Sequence, residues 1–311
     1  MNILIDIGLI ALGFILLIKG GDFLVDGAVA IAQRAKLSSM VIGLTIVGFG
    51  TSAPELLVSI QAALAGSSGI AIGNVVGSNI ANVALILGMT ALIRECSTTR
   101  QTLRIDMPFM LLAALLFILV ALSGSIERIP GIIGILMLTA FITWQVVNSR
   151  KNNADEQRPS DIMPLYKAIP LVIVSIIALT YGADWLIDGA KGIALYLGIS
   201  ERIIGLTIIA VGTSLPELFA SVMAARKGET DLAIGNVIGS VTFNILSVIG
   251  FSSAICPIAG SNEGFLFDYL LMLALGILLW IFLFTKRTLE RWEGMVLLAM
   301  YLLYILKTIL I

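Results

Sequence analysis

Ten long apolar stretches, separated by short polar segments, run along the whole chain. Each is long enough to cross a bilayer as a helix, which takes about 17–25 mostly apolar residues. No segment shows the alternation of apolar and polar positions that is typical of a membrane barrel strand. Because only helices and closed barrels satisfy the backbone in lipid, the pattern predicts an all-α integral membrane protein. The predicted spans are 3–32, 40–65, 71–93, 106–123, 129–148, 164–195, 203–225, 231–253, 265–284 and 293–311.

The composition excludes several classes of protein. Of the 311 residues, 59% are hydrophobic and 13% are charged, and the mean hydropathy is +1.05. Soluble domains are about 45–50% apolar and about 25% charged. The net charge of −1 offers no basic surface to a nucleic acid. The chain has no histidine, which excludes His-based triads and His-ligated zinc, so we expect neither an enzyme nor a resident cofactor.

Lysine and arginine are divided unequally between the two sides that alternating spans define. Fourteen of the 19 lie in one set of loops and four in the other, while Lys19 lies within the first span. Because cytoplasmic loops carry the excess of these residues, we expect both termini outside and the polar segment 148–161 in the cytoplasm. The expected location is the plasma (inner) membrane, with the lipid bilayer as the protein's surroundings.

One unit occurs twice along the chain. Gly43–Ile60 and Gly205–Val222 are identical at 11 of 18 positions, and the second copy lies 162 positions after the first. Ala71–Asn82 resembles Ala233–Asn244 at the same offset. The predicted organisation is a repeat at 1–150 with its motif region at 43–82, a linker at 151–163, and a repeat at 164–311 with its motif region at 205–244.

Each predicted repeat contains five spans. Because five is odd, the second repeat enters the membrane from the opposite side, an arrangement common in secondary transporters. Such transporters bind substrate near the bilayer midplane, where the two repeats meet. The predicted fold is therefore ten transmembrane helices, arranged as two inverted five-helix repeats with broken helices at the midplane.

Each repeat carries the motif G-T-S-x-P-E, at Gly50–Glu55 and at Gly212–Glu217. The glutamates lie near the middle of their spans, where a charged side chain costs about 2.5–3.5 kcal/mol on insertion scales. Pro54 and Pro216 lack a backbone N–H, so they free the carbonyl four residues back and break the helix. No lysine or arginine is repeated at this depth, and a bound cation is therefore the expected source of positive charge.

Neutral oxygen-bearing side chains accompany the two glutamates. Hydroxyls and amides at helical spacing are expected to face the same site: Thr51, Ser52, Ser78, Asn82, Thr213, Ser214, Ser240 and Asn244. These hard ligands suit Na⁺, Ca²⁺ or Mg²⁺ better than zinc or copper, and calcium accepts such oxygen cages most readily. Asn74 and Asn236 fit either a packing role or a site role. Thr45, Thr207, Ser59 and Ser221 are expected to hydrogen-bond within their own helices.

The doubled pattern G-T-S-x-P-E followed by G-N-x-x-G-S-x-x-x-N resembles the repeats of the calcium/cation antiporter superfamily, and most of all its compact prokaryotic sodium/calcium exchangers. The resemblance covers nearly the whole chain. It implies that Glu55 and Glu217 ligate calcium, that the hydroxyls and amides above complete the calcium and sodium sites, and that the first and sixth helices slide to switch access. It also implies that the carbonyls of Gly48 and Ala210 contribute. Asn244 stands where potassium-dependent members carry Asp, which implies independence of K⁺.

These observations predict a secondary active antiporter that exchanges Na⁺ for Ca²⁺ electrogenically by alternating access. A calcium/proton antiporter on the same fold is the alternative, because glutamates also carry protons. The hydroxyl-rich surroundings favour sodium, since a proton needs only the carboxylate. An intramembrane hydrolase and a channel are disfavoured, the first because no catalytic signature is present and the second because inverted, broken helices suit alternating access. The predicted site lies within one chain, so a monomer is sufficient.

Overall fold

A computed structural model describes residues 3–152, 162–198, 210–259 and 263–310, most of which are helical. The helices are α1 Ile3–Ala35, α2 Ser39–Thr51, α3 Ala53–Leu64, α4 Ser68–Ile93, α5 Thr102–Leu122, α6 Arg128–Asn152, α7 Leu165–Tyr196, α8 Ala210–Gly212, α9 Leu215–Lys227, α10 Thr230–Ile255, α11 Leu266–Lys286 and α12 Arg291–Leu310. Four two-residue strands connect them: β1 Cys96–Ser97, β2 Ser125–Ile126, β3 Ile258–Ala259 and β4 Thr288–Leu289. The predicted all-α membrane fold is confirmed.

The described ranges contain eight continuous helices that are long and apolar enough to cross a membrane. α2 and α3 together form a ninth candidate span, which is bent by 46°. The stretch 40–65 is therefore a broken span, as the proline in its motif predicts. The predicted seventh span, 203–225, begins outside the described residues, and its described part consists of α8 and α9.

Two small sheets join loops that are far apart in the sequence. β1 pairs with β4 and β2 pairs with β3, in both cases antiparallel. Paired strands lie on the same side of the membrane, so an even number of crossings separates β2 from β3. α6, α7 and α10 provide three crossings, and the segment that contains α8 and α9 provides the fourth. The pairing therefore agrees with ten spans.

α4 and α10 lie at the centre of the bundle, and α1 and α7 lie at its side. In the most apolar window of α10 every residue is buried, whereas only 17% are buried in that of α1. α1 and α7 pack along each other through glycines: a β-carbon on Gly13 would lie 2.7 Å from the carbonyl oxygen of Gly182. α1 and α7 are the first and sixth of the predicted spans, which the resemblance implies to be mobile. They contact each other directly and lie outside the central pair of α4 and α10.

Glycines also allow α2 to approach α10 closely. A β-carbon on Gly43 would lie 2.5 Å from the carbonyl oxygen of Leu232, and one on Gly239 would lie 2.5 Å from that of Leu44. Only a residue without a side chain fits at these distances. The segment equivalent to Gly43–Val47 in the second half is 205–209, which lies outside the described residues. The close packing described therefore concerns α2 and α10.

Candidate functional site

Each repeated motif interrupts its helix just before the glutamate. Ser52 (φ −86°, ψ 6°) separates α2 from α3, and Ser214 (φ −93°, ψ 7°) separates α8 from α9. Pro54 and Pro216 lie in the first turn of the helix that follows, where their missing N–H is tolerated. Because neither proline can donate to the carbonyl four residues back, backbone oxygens are left exposed to the interior at both breaks.

Glu55 and Glu217 lie in the first turns of α3 and α9, and both are completely buried. A helix N-terminus carries about half a positive charge and stabilises a carboxylate placed there. The two carboxyl groups also lie within electrostatic range of each other, and like charges repel. The helix termini therefore offset part of the negative charge, while the rest calls for a cation.

Most of the carboxylate oxygens have no donor among the described residues. Neither oxygen of Glu55 accepts a hydrogen bond, and Oε2 of Glu217 accepts none. Ser78 faces the Glu55 carboxyl group without reaching hydrogen-bond geometry. The described lysines and arginines form three ion pairs, and none of these includes either glutamate. Buried, unpaired carboxylates are costly, so these oxygens are free for a cation.

Hydrogen bonds connect the first motif to the second half of the chain. Ser52 Oγ donates to Glu217 Oε1 over 3.1 Å. Thr51 Oγ1 lies 3.2 Å from Asn236 Oδ1 and 3.1 Å from the carbonyl oxygen of Val47. Both hydroxyls are buried. The first motif therefore contributes its hydroxyls next to the glutamate of the second motif.

The carbonyl of Gly48 lies in the same cluster. Its oxygen is 3.5 Å from Ser240 Oγ and 3.4 Å from Thr51 Oγ1. The close approach depends on glycine, because a β-carbon on Gly48 would lie 3.1 Å from the backbone nitrogen of Ser240. The structure thus brings Gly48, Thr51 and Ser240 together.

The second motif is not joined to the first half in this way. Ser214 is buried, and its Oγ has no described partner. Thr213 is half-buried and has no hydrogen-bond partner within the described ranges. Ala210 begins α8, and the residues before it lie outside the described part of the chain. Within the described residues, a hydroxyl therefore bonds across the two halves at Ser52 and not at Ser214.

The two predicted amides lie where α4 and α10 change to π-helical geometry. These stretches are Ala81–Ile86 and Asn244–Val248. π-helical turns are rare in proteins overall, but many of those that occur lie at functional sites. Both amide side chains are completely buried. Neither amide atom of Asn82 has a described partner, and Asn244 Oδ1 has none. Asn244 Nδ2 donates to Asn79, a residue that the motif comparison does not identify.

A second pair of asparagines supports the backbone at the broken helices. Asn74 donates to the backbone carbonyl of Glu55 over 3.1 Å and to Ser59 Oγ over 2.9 Å. Asn236 makes the same two contacts one repeat later, at 3.3 and 2.9 Å. Thr45 bonds within its own helix as expected, because its Oγ1 donates to the Val41 carbonyl over 2.6 Å, and Thr207 lies outside the described residues. Ser59 and Ser221 depart from that expectation, because both accept from amides of the next helix. The asparagines hold the first turns on which the glutamates lie.

The chemistry of the site is that of oxygen alone. The described residues contain no group of three or more Cys, Asp or Glu that could hold a metal by themselves. A cation here would take its ligands from two carboxylates together with hydroxyls, amides and backbone carbonyls. Such a set suits Na⁺ or Ca²⁺, and calcium takes about six to eight oxygens in a flexible geometry. The arrangement can hold a cation at membrane depth.

Comparisons with known proteins identify the family of the chain. The sequence model of a family described as sodium/calcium exchanger protein matches residues 5–148 and 167–310. The sodium/calcium exchanger MaX1 of Methanosarcina acetivorans is 35% identical, over 96% of each chain. The putative antiporter CaxA of Alkalimonas amylolytica is 37% identical, over 95% of this chain and 96% of its own. A solved structure of the sodium-calcium exchanger NCX_Mj superposes with a TM-score of 0.83 at 32% identity, over 98% of this chain and 99% of its own.

Proposed function

The chain belongs to the sodium/calcium exchanger family and is a multi-pass membrane cation exchanger, and from this premise we propose that it exchanges Na⁺ for Ca²⁺ by alternating access. One observation carries the proposal: Glu55 and Glu217 are completely buried, and no described cationic side chain pairs with them. The proposed ligands are these two carboxylates and the surrounding oxygens of Thr51, Ser52, Ser78, Asn82, Thr213, Ser214, Ser240 and Asn244, with the carbonyls of Gly48 and Ala210.

The charge of the site explains why exchange would be obligatory. Two carboxylates are balanced by one Ca²⁺ or by two Na⁺, and the surrounding neutral oxygens are proposed to ligate a further Na⁺. An empty site leaves both charges uncompensated in a medium of low dielectric constant, which is costly. The empty carrier therefore rarely changes access, and one cation leaves only when another arrives. If more sodium charge than calcium charge moves per cycle, the membrane potential contributes about 2.3 kcal/mol per charge per 100 mV.

The uneven packing of the two motifs supports a one-sided opening. The first motif is hydrogen-bonded to Glu217 and its helix packs closely on α10, whereas Ser214 has no described partner. In the proposed orientation, with both termini outside and segment 148–161 in the cytoplasm, α2 lies in the cytoplasmic half of the membrane. This arrangement corresponds to a state closed toward the cytoplasm. An exchange of roles between the motifs would close the outer side instead.

The proposed physiological setting follows from the charges of the loops and of the site. The Lys and Arg excess in one set of loops supports the orientation given above, in a plasma membrane. With an inward sodium gradient, the expected direction is calcium extrusion. The neutral side chain of Asn244 supports transport without K⁺, because it adds no third negative charge to the site.

Calcium flux into proteoliposomes tests the proposed function. Vesicles loaded with Na⁺ should take up radiolabelled calcium, and vesicles loaded with choline or K⁺ should not. An imposed potential should change the initial rate if transport is electrogenic. Uptake that follows a pH gradient and ignores internal sodium would replace the proposal with calcium/proton exchange. Folded protein that moves calcium under neither gradient would contradict both.

A further inference from the structure

Asn79 is a completely buried residue of α4 that the repeated motifs do not explain. The equivalent position in the second half is Val241, so Asn79 belongs to one half alone. Asn244 Nδ2 donates to Asn79 Oδ1 over 3.1 Å. Asn79 in turn directs its own Nδ2 toward Met272 Sδ, at 3.5 Å. These three side chains connect the proposed cation site to α11.

The chemistry of these contacts fixes the direction of both amides. A thioether sulfur is a weak acceptor and has no hydrogen to donate, so Asn79 turns its Nδ2 toward Met272. Its Oδ1 then faces Asn244, and within that amide only the N–H group can donate to it. Asn244 is thereby held with Nδ2 toward Asn79. Its Oδ1 is left buried and without a described partner.

Asn82, the counterpart of Asn244, has no such restraint within the described residues. Both of its amide atoms are unpartnered, and Val241 offers no polar atom at the position that corresponds to Asn79. We propose that Asn79 is a positioning residue, which holds the Asn244 carbonyl oxygen toward the transported cation and is itself oriented by Met272. The inference rests on the proposed function, because it concerns the same site.

The restraint matters because an amide has two opposite faces. Its oxygen attracts a cation, and its N–H group repels one. An Asn244 side chain that was free to turn would spend part of its time with the N–H group toward the ion. Fixing the amide removes that unfavourable orientation before the cation arrives, which is the effect of preorganisation on affinity. Asn79 should therefore act on calcium affinity more than on the rate of the access change.

Two substitutions test this role. Asn79→Leu keeps the approximate shape and removes the acceptor, and Asn244→Asp places an oxygen on both sides of the terminal group, so that its orientation no longer matters. In sodium-loaded proteoliposomes, Asn79→Leu should raise the calcium KM about five- to tenfold with little change in kcat, the loss typical of one buried hydrogen bond. In the Asn244→Asp background the same Asn79→Leu substitution should not raise the KM further. An Asn79→Leu variant with the wild-type KM, or one whose KM rises equally in both backgrounds, would overturn the inference.

Met272→Leu provides a second variant that does not depend on Asn79 tolerating a change. It keeps the volume of a buried side chain and removes the sulfur acceptor. The calcium KM should rise about twofold, since a thioether is a weak acceptor. If Asn79→Leu does not fold, an unchanged KM in Met272→Leu contradicts the inference. A wild-type protein without sodium-dependent calcium uptake would instead contradict the proposed function.

Discussion

Ser52 donates a hydrogen bond to Glu217 across the boundary between the two halves of the chain, over 3.1 Å from Oγ to Oε1. The equivalent contact, from Ser214 to Glu55, is not made: Ser214 Oγ and both oxygens of Glu55 lack described partners. Two motifs with nearly the same sequence thus occupy different environments. Sequence symmetry combined with this structural asymmetry is what alternating access requires.

The two serines should therefore respond differently to the same substitution. Ser52→Ala leaves Glu217 without its donor in the state described here, and a hydrogen bond to a charged group contributes about 1.5–3 kcal/mol. Ser214→Ala removes a hydroxyl that has no described partner. In thermal unfolding without added Na⁺ or Ca²⁺, Ser52→Ala should lower the melting temperature clearly more than Ser214→Ala. Equal shifts would show that the contact does not stabilise this state.

Both glutamates should be indispensable for calcium transport. Glu55→Gln and Glu217→Gln keep the shape of the side chain and remove one charge. We expect sodium-dependent calcium uptake to fall at least about 100-fold, which corresponds to about 3 kcal/mol. The melting temperature without cations should stay the same or rise, because a buried uncompensated charge is removed. Glu95→Gln is the matched control, because Glu95 is exposed in a loop and its loss should leave uptake unchanged. Near-normal uptake in both test variants would refute the proposed site.

Repeat spacing predicts much of the site, because it reports on residues that share one helix face. Ser240 and Asn244 are four positions apart and both lie in the buried interior. The repeat does not predict Asn79, because the equivalent position in the second half is Val241, so a comparison of the halves shows no repeated polar residue there. The partner of Ser59 was also missed, since Asn74 reaches it from the next helix. Predictions from local sequence relate a hydroxyl only to its own helix. In the folded protein, a buried polar group forms its hydrogen bond with any suitable neighbour, including one on another helix.

The close contact of α2 with α10 should depend on Gly239. In Gly239→Ala the new β-carbon would lie 2.5 Å from the carbonyl oxygen of Leu44, so the backbones must separate. We expect a lower melting temperature, by the equivalent of about 1–3 kcal/mol for overpacking, together with slower exchange. Gly69→Ala is the matched control for stability, because Gly69 is an exposed residue of α4 and no described atom is within 4 Å of its β-carbon position. Equal melting temperatures for the two variants would contradict this packing argument.

Lys227 connects α1 to the end of α9. Its Nζ lies 2.8 Å from Asp22 Oδ1 and 2.6 Å from Asp26 Oδ1, and all three side chains are partly exposed. Exposed ion pairs contribute about 0–1 kcal/mol, so Lys227→Met should barely change the melting temperature. If α1 slides during transport, however, the contact favours the state closed toward the cytoplasm. Its loss should then lower the calcium KM at the cytoplasmic face, by at most about fivefold.

Oriented membrane vesicles allow that KM to be measured on each face separately. Lys286→Met is the control. Lys286 pairs with Glu290, four residues later, at 2.7 Å, and this ion pair does not involve α1. The control should leave both KM values unchanged. A cytoplasmic KM that is the same in Lys227→Met and in the wild type would show that this ion pair does not affect the change of access.

Potassium should be neither required nor transported. The buried site has two carboxylates, and the amide of Asn244 is neutral, with a carbonyl oxygen as its free atom. One Ca²⁺ balances the two carboxylates, and Asn244 supplies no further charged ligand for a K⁺ bound beside it. Sodium-dependent calcium uptake should therefore proceed at the same rate with external K⁺ replaced by choline, and radiolabelled rubidium, a substitute for K⁺, should not enter with calcium. Rubidium entry coupled to calcium would contradict the proposed independence of K⁺ and would mean that the neutral Asn244 is compatible with a K⁺ site.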